Sequence, residues 1–107
     1  MTLFISFTDE NFDKLVTKSK LPVVVCFSAS WCAPCKALQP RLESLALEIP
    51  DVKVGKIDVE ENPKTSSLFP IMSVPLVLLF LNGDIVAQIT ALETVESMIE
   101  EINEYLS

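Results

Sequence analysis

The chain has 107 residues, which is room for one domain and one core but not for a second. Half of its residues are apolar and only two are glycine, so a disordered tail, a collagen-like repeat and a Gly/Ser linker are excluded. Eight Lys/Arg against fifteen Asp/Glu leave a net charge of −7, which argues against a nucleic-acid backbone as partner.

Taken in chain order, the first ten residues contain no basic n-region, and their apolar stretch is broken by Ser6 and ends at Asp9. The expectation is no signal peptide, no membrane attachment and a cytoplasmic location. Leu3 to Phe7 reads as a strand. Thr8 or Asp9 can cap a helix whose apolar face is Phe12, Leu15 and Val16. Pro22 then opens Val23-Val24-Val25-Cys26-Phe27, a continuous apolar run suited to a central strand buried on both faces.

Leu38, Leu42, Leu45 and Ile49 recur at helical spacing, with Pro40 expected to kink that helix and Pro50-Asp51 to end it. Val52 to Val59 alternates as a strand, and Gly55 marks a bulge or a close backbone approach. Asn62-Pro63 predicts an N-cap followed by proline at the first helical position, starting a short helix that runs to about Phe69. Pro70 and Pro75 bracket an irregular segment. Leu76–Leu81 and Ile85–Thr90 are two strands around Asn82-Gly83, a strong hairpin signal. Leu92, Val95, Ile99, Ile102 and Leu106 form the apolar stripe of a last helix, opposite Glu93, Glu96, Glu100, Glu101 and Glu104. That acidic face is read as solvated surface. The order β-α-β-α-β-α-β-β-α predicts an α/β fold with a sheet covered on both sides.

Chemistry concentrates in Trp31-Cys32-Ala33-Pro34-Cys35-Lys36, which follows the buried strand and opens the second helix. With no histidine in the chain, His-based triads, His general bases and His-containing zinc sites are all excluded. An odd count of three cysteines is not that of a secreted disulfide scaffold. At a helix start, unpaired N–H groups and the helix dipole favour a thiolate at Cys32, and Lys36 adds positive charge. Residues at i and i+3 of a regular helix have Cβ atoms ~5–6 Å apart, whereas a disulfide wants ~3.5–4.5 Å. Ring closure therefore needs an adjusted first turn, which a helix terminus permits. Pro34 restricts that turn, and Trp31 provides an apolar rim. The competing reading of C-x-x-C is half of a zinc site, which Cys26 cannot complete as a Cys/His set.

This motif, after a Val-Val-Val-Cys-Phe strand, resembles that of the thioredoxin family, usually written Trp-Cys-Gly-Pro-Cys-Lys. Pro40, Lys56, Asn62-Pro63, Val74-Pro75 and Asn82-Gly83 extend the likeness over essentially the whole chain. The resemblance implies a thioredoxin fold over residues 1–107: a central mixed sheet of about five strands flanked by four helices. It implies a protein-disulfide reductase in which Cys32 is an exposed nucleophile and Cys35, buried beneath it, resolves the mixed disulfide. Pro75 becomes a cis-proline facing the cysteines. Trp31, Val74, Pro75, Thr90 and Ala91 fall along the client groove. No cofactor is expected to be bound, and the expected partners are disulfide-containing clients and an NADPH-dependent flavoprotein thioredoxin reductase. A monomer is expected.

The departures are specific. Cys26 stands where the family usually has a buried aspartate, paired indirectly with the lysine that matches Lys56. A thiol in an apolar strand cannot copy that acid, so Cys26 reads as a core filler. The sharper alternative is that resolution by Cys35 is slowed and Lys56 is left to act on the active-site thiols alone; a regulatory thiol at Cys26 is a third reading. Ala33 replaces a glycine, Ser28 a common tryptophan, Ser73 a frequent glycine and Leu76 a threonine. Ile89 to Leu92 lacks the usual rim glycine. Two other functional readings therefore stay open, a more oxidising relative with restricted clients and a redox-silent binding module.

Overall fold

In the computed structural model of this chain, residues 4–69, 71–90 and 94–106 are described. Among them the elements run β1 (Phe4–Phe7), α1 (Asp13–Thr17, a short π-helical turn), β2 (Val23–Ser28), α2 (Ala33–Glu48), β3 (Lys53–Asp58), α3 (Pro63–Ser66), β4 (Leu76–Leu81), β5 (Asp84–Ile89) and α4 (Val95–Leu106). The strands form one sheet in the order β1-β3-β2-β4-β5. β3 pairs parallel with β1 and β2, while β4 runs antiparallel to β2 and β5. This is the mixed five-stranded sheet with four helices that the resemblance implied. None of the described helices is long and apolar enough to cross a membrane.

β2 lies at the centre because every residue from Val23 to Phe27 is buried. Val24 and Cys26 face a layer made by α2 and α4, where Leu38, Leu42, Leu45, Met98 and Ile102 pack. Val23, Val25 and Phe27 face the opposite layer, with Phe12 and Val16 of the α1 region. Burying each such Val, Leu or Phe contributes about 1.5–3 kcal/mol, so the uninterrupted apolar run dictates the central position. On the second face, Phe69 packs its ring against Phe12, Phe27 and Phe80 at centroid separations of 5.5–5.7 Å. Edge-on pairs of this kind add about 0.5–1.5 kcal/mol each. They anchor the start of the irregular segment that leads to Val74 and Pro75.

Capping differs from the local expectation. Thr8 closes the turn before α1, its amide donating to Asn11 Oδ1 at 2.8 Å while the Asn11 amide donates to Thr8 Oγ1 at 3.2 Å. Asp9 caps α3 instead: its carboxylate accepts from the amides of Thr65 at 2.8 Å and Lys64 at 3.3 Å. Burial acts to raise the Asp9 pKa, but the hydrogen bonds from Thr65 and Lys64 and the Lys64 charge hold it below its ordinary value. Asn62 sits at the α3 N-cap position without capping it. Its Oδ1 accepts from the Asp9 amide at 2.9 Å, and its Nδ2 donates to the Asp58 carbonyl at 3.0 Å. The two side chains tie the end of β1 to the start of α3. α3 ends at Ser66, short of the expected Phe69; single turns such as Leu68 N–H to the Thr65 carbonyl continue the path.

Gly55 is a close approach and not a bulge. Its register with Ile5 and Val25 is unbroken, and the irregularity in the sheet lies instead between Leu79 and Phe80. The hairpin is as expected, with Asn82 at φ 53° and Gly83 at φ 84°. α2 carries Pro40 inside it and stays helical to Glu48. In α4 the buried residues are Met98 and Ile102, while Val95 and Ile99 are half-buried and Leu106 is exposed. Met98 lies three residues after Val95 and four before Ile102, so it belongs to the inward face that the predicted stripe left out. Leu3, Pro70, Leu92 and Glu93 lie outside the described residues.

Candidate active site

The end of β2 delivers the chain through Ala29, Ser30 and Trp31 to the first turn of α2. A turn closes this step, the Cys32 amide donating to the Ala29 carbonyl at 3.1 Å. Cys32 is the N-cap, extended at φ −88° and ψ 105°, and the Lys36 amide reaches its carbonyl at 3.2 Å. Ala33, Pro34 and Cys35 are then the first three helical residues. Pro34 fits because an amide there would have no helical partner. The Cys35 amide donates to Cys32 Sγ at 3.2 Å. The two sulfurs are bonded, with Cα atoms 5.3 Å apart. The extended backbone of Cys32 is the adjusted first turn that ring closure requires.

Cys32 is not exposed: it is 3% accessible and Cys35 is 6%. The pair packs with Ala29, and Val59 and Val74 lie against it. The Val74 carbonyl oxygen is 3.8 Å from Cys32 Sγ. Backbone from a loop 42 residues away thus lies over the sulfur, which local sequence could not reveal. The Val74-Pro75 bond is cis, as the resemblance implied. A groove of about 340 Å³ between α2 and this loop is lined by Pro34, Ala37, Leu38, Arg41, Ser73, Val74 and Pro75. Trp31 is 68% exposed beside the pair, and Thr90 is exposed at the end of β5; neither lines this groove. Ala91 lies outside the described residues.

A second cavity, also about 340 Å³, opens under the first turn of α2 and is lined by Cys26, Ser28, Cys35, Lys36, Gln39, Lys56 and Asp58, among others. Cys26 and Lys56 are cross-strand neighbours, as are Ser28 and Asp58. Lys56 is not left to act alone, because its Nζ donates to Gln39 Oε1 at 2.7 Å. Gln39 and Asp58 were absent from the sequence-based site. Strand periodicity places Asp58 on the Lys56 face and helix periodicity places Gln39 on the Cys35 face, so both were recoverable. Among the described residues no cluster of three or more Cys, Asp or Glu could hold a metal ion.

Burial pushes the Cys26 thiol up to about 12 from 9.0, with the Lys56 charge opposing only in part. In the reduced native protein the thiol that alkylates should be Cys32, activated at the helix start, with Cys26 reacting only after denaturation. Mass spectrometry after an iodoacetamide pulse, with and without denaturant, measures this. The raised value also predicts a stability term that is present below about pH 9 and lost as pH rises towards 12, since the unfolded chain releases this proton first. A Cys26→Val variant should lack that alkaline loss relative to the parent in urea titrations.

The thioredoxin family model matches residues 3–104. The thioredoxin of Chlamydia pneumoniae is 39% identical over 98 residues, covering 92% of this chain and 94% of that protein. That of Buchnera aphidicola from Acyrthosiphon pisum is 42% identical over 108 residues, covering 96% of this chain and all of that protein. The Rickettsia prowazekii thioredoxin is 42% identical over 97 residues, covering 90% and 92%. The helix-capping cysteine pair, the sheet that delivers it and these likenesses agree: this chain belongs to the thioredoxin family, and its Cys32–Cys35 pair performs protein dithiol–disulfide exchange without a bound cofactor.

Proposed function

We propose that Cys32 attacks and Cys35 resolves. The Cys35 amide directed at Cys32 Sγ carries this assignment. In the reduced protein the same N–H, with the helix dipole behind it, stabilises a thiolate at Cys32 and lowers its pKa. The Cys32 thiolate attacks one sulfur of a client disulfide; the client S–S bond breaks and the other client sulfur leaves as a thiolate. Cys35 then attacks Cys32 Sγ, forming the intramolecular disulfide and expelling the reduced client.

Supporting roles follow from position. Ala33 and Pro34 hold the turn, Lys36 adds positive charge and Cys26 fills the core beneath. Lys56, tied to Gln39, sits on the floor of the cavity. The Val74 backbone over Cys32 offers hydrogen-bonding groups to an extended client segment, in the manner of strand addition. Pro75 borders that docking path, and the exposed Trp31 and Thr90 are further client contacts in this reading. The partners in this reading are disulfide-containing proteins and a thioredoxin reductase that passes on electrons from NADPH. The chain acts as a monomeric single domain, residues 1–107, in the cytoplasm, with neither nucleic acid nor membrane as partner.

The test is reduction of insulin disulfides driven by dithiothreitol, compared with Cys32→Ser, then driven by NADPH through a thioredoxin reductase. The parent should be active in both and the variant in neither. A parent no faster than Cys32→Ser would make the protein a binding module. Activity with dithiothreitol alone would make it a specialised relative outside the reductase circuit.

A further inference from the structure

Resolution by Cys35, on the reading just proposed, requires a buried thiol to lose its proton. Cys35 is 6% exposed and borders the cavity under α2, so the groups within reach of its proton are those facing that space. The titratable ones besides Cys35 are Cys26 from β2, Lys56 and Asp58 from β3, and Lys36 from α2; β1 contributes only Phe4. A lysine ammonium has no lone pair to take a proton, and Lys56 is already engaged by Gln39. Cys26 holds its own proton far into the alkaline range. Asp58 is the one carboxylate among them.

The position of Asp58 is built and not incidental. It stands opposite Ser28 at the end of β3, half-buried, two residues from Lys56 on the same face. Its Oδ1 accepts from the Glu60 amide at 2.8 Å and the Glu61 amide at 3.0 Å, which fixes the carboxylate. No hydrogen bond from the described residues ends on Oδ2. A cavity of about 340 Å³ is roomy enough for bridging water, and the Ser, Lys, Gln and Asp side chains in its otherwise apolar wall give that water polar partners.

We propose that Asp58 is the proton acceptor for Cys35, reached through water in this cavity. The Cys35 thiol proton passes to a water as a proton of that water passes to the Asp58 carboxylate. The Cys35 thiolate then forms its bond to Cys32 Sγ; the bond from Cys32 to the client sulfur breaks, and that sulfur leaves with the electron pair and is protonated from solvent. Asp58 returns its proton to solvent, so one thiol proton is lost and one gained. Asp58 touches neither client nor reacting sulfur and is a positioning group for the proton.

The reaction of the fully reduced protein with 5,5′-dithiobis(2-nitrobenzoate) separates the two steps, since attack and resolution each release one thionitrobenzoate. Asp58→Asn keeps an Oδ1 acceptor for the Glu60 and Glu61 amides and removes the base. Its first release should match the parent, and its second should be at least about 10-fold slower near neutral pH. The gap should close as pH rises and hydroxide takes over, and Asp58→Glu should restore most of the rate. Superimposable pH profiles for the second release, or a slowing equal at every pH, would overturn the role of Asp58. Cys35→Ser should abolish the second release. If it does not, Cys35 is not the resolving thiol and the proposal falls with that assignment.

Discussion

A Cys35→Ser variant is expected to stall as a mixed disulfide with its client, its turnover falling by about 100-fold or more. Cys32 would still attack, because its activation comes from the N-terminus of α2, where the backbone is unaltered by the substitution. The resolving step would then depend on external thiol. In the native pair the two Cα atoms are only 5.3 Å apart, and such proximity is worth effective molarities many orders above a millimolar reagent. Non-reducing electrophoresis should show a covalent protein–insulin-chain species that dithiothreitol dissolves. It should be absent from Cys32→Ser and from the double variant. Equal trapping by Cys32→Ser and Cys35→Ser would mean that either sulfur can attack, and the division of roles would be lost.

Gly55→Ala is the change expected to cost the most stability, about 3 kcal/mol or more. A Cβ at this position would meet the Ile5 carbonyl oxygen and come within 2.7 Å of the Phe7 ring. Neither obstacle is a flexible side-chain end. Ile5 is the register partner of Gly55 in the β1–β3 pair, and Phe7 is fully buried. Relief would require β1 to shift and the phenylalanine cluster to repack. For a chain of this length the midpoint of thermal unfolding should fall on the order of 10 °C or more. Calorimetry of the parent and the variant checks this. A loss below about 0.5 kcal/mol would show that β1 moves freely against β3. Lys56 and Asp58 follow Gly55 on the same strand, so partial detachment of β1 should also disturb the second release of thionitrobenzoate.

Local chemistry made much of the fold legible. The Asn82-Gly83 turn, the run from Val23 to Phe27 and the helical spacing of Leu38, Leu42 and Leu45 depend on neighbours a few residues away. They stand as the sequence predicts. The cap assignments failed because their partners are distant in the chain. Asp9 reads locally as the cap of the next helix, yet it serves α3 more than fifty residues on. Asn62 reads as a cap and is a tie between two other segments. An acceptor goes to whichever unpaired amides the fold brings close, and local sequence does not say which these are.

The same division runs through the site. Three cysteines, no histidine and a C-x-x-C at a helix start are enough to choose thiol chemistry over general-base or zinc chemistry. They also identify Cys32 and Cys35 as the working pair. That choice is local, because the first turn of a helix provides both the unpaired amides and the freedom to close the ring. Only the tertiary structure decides how the pair is covered and what lies beneath it. Val74 comes to Cys32 because the sheet order carries the loop before β4 next to the end of β2. The cavity under Cys35 gathers side chains from β2, β3 and α2, where Cys26 supplies no acid and Asp58 supplies a carboxylate. The reaction follows from residue types and their spacing along the chain, whereas the route of its proton depends on which strands the fold sets side by side.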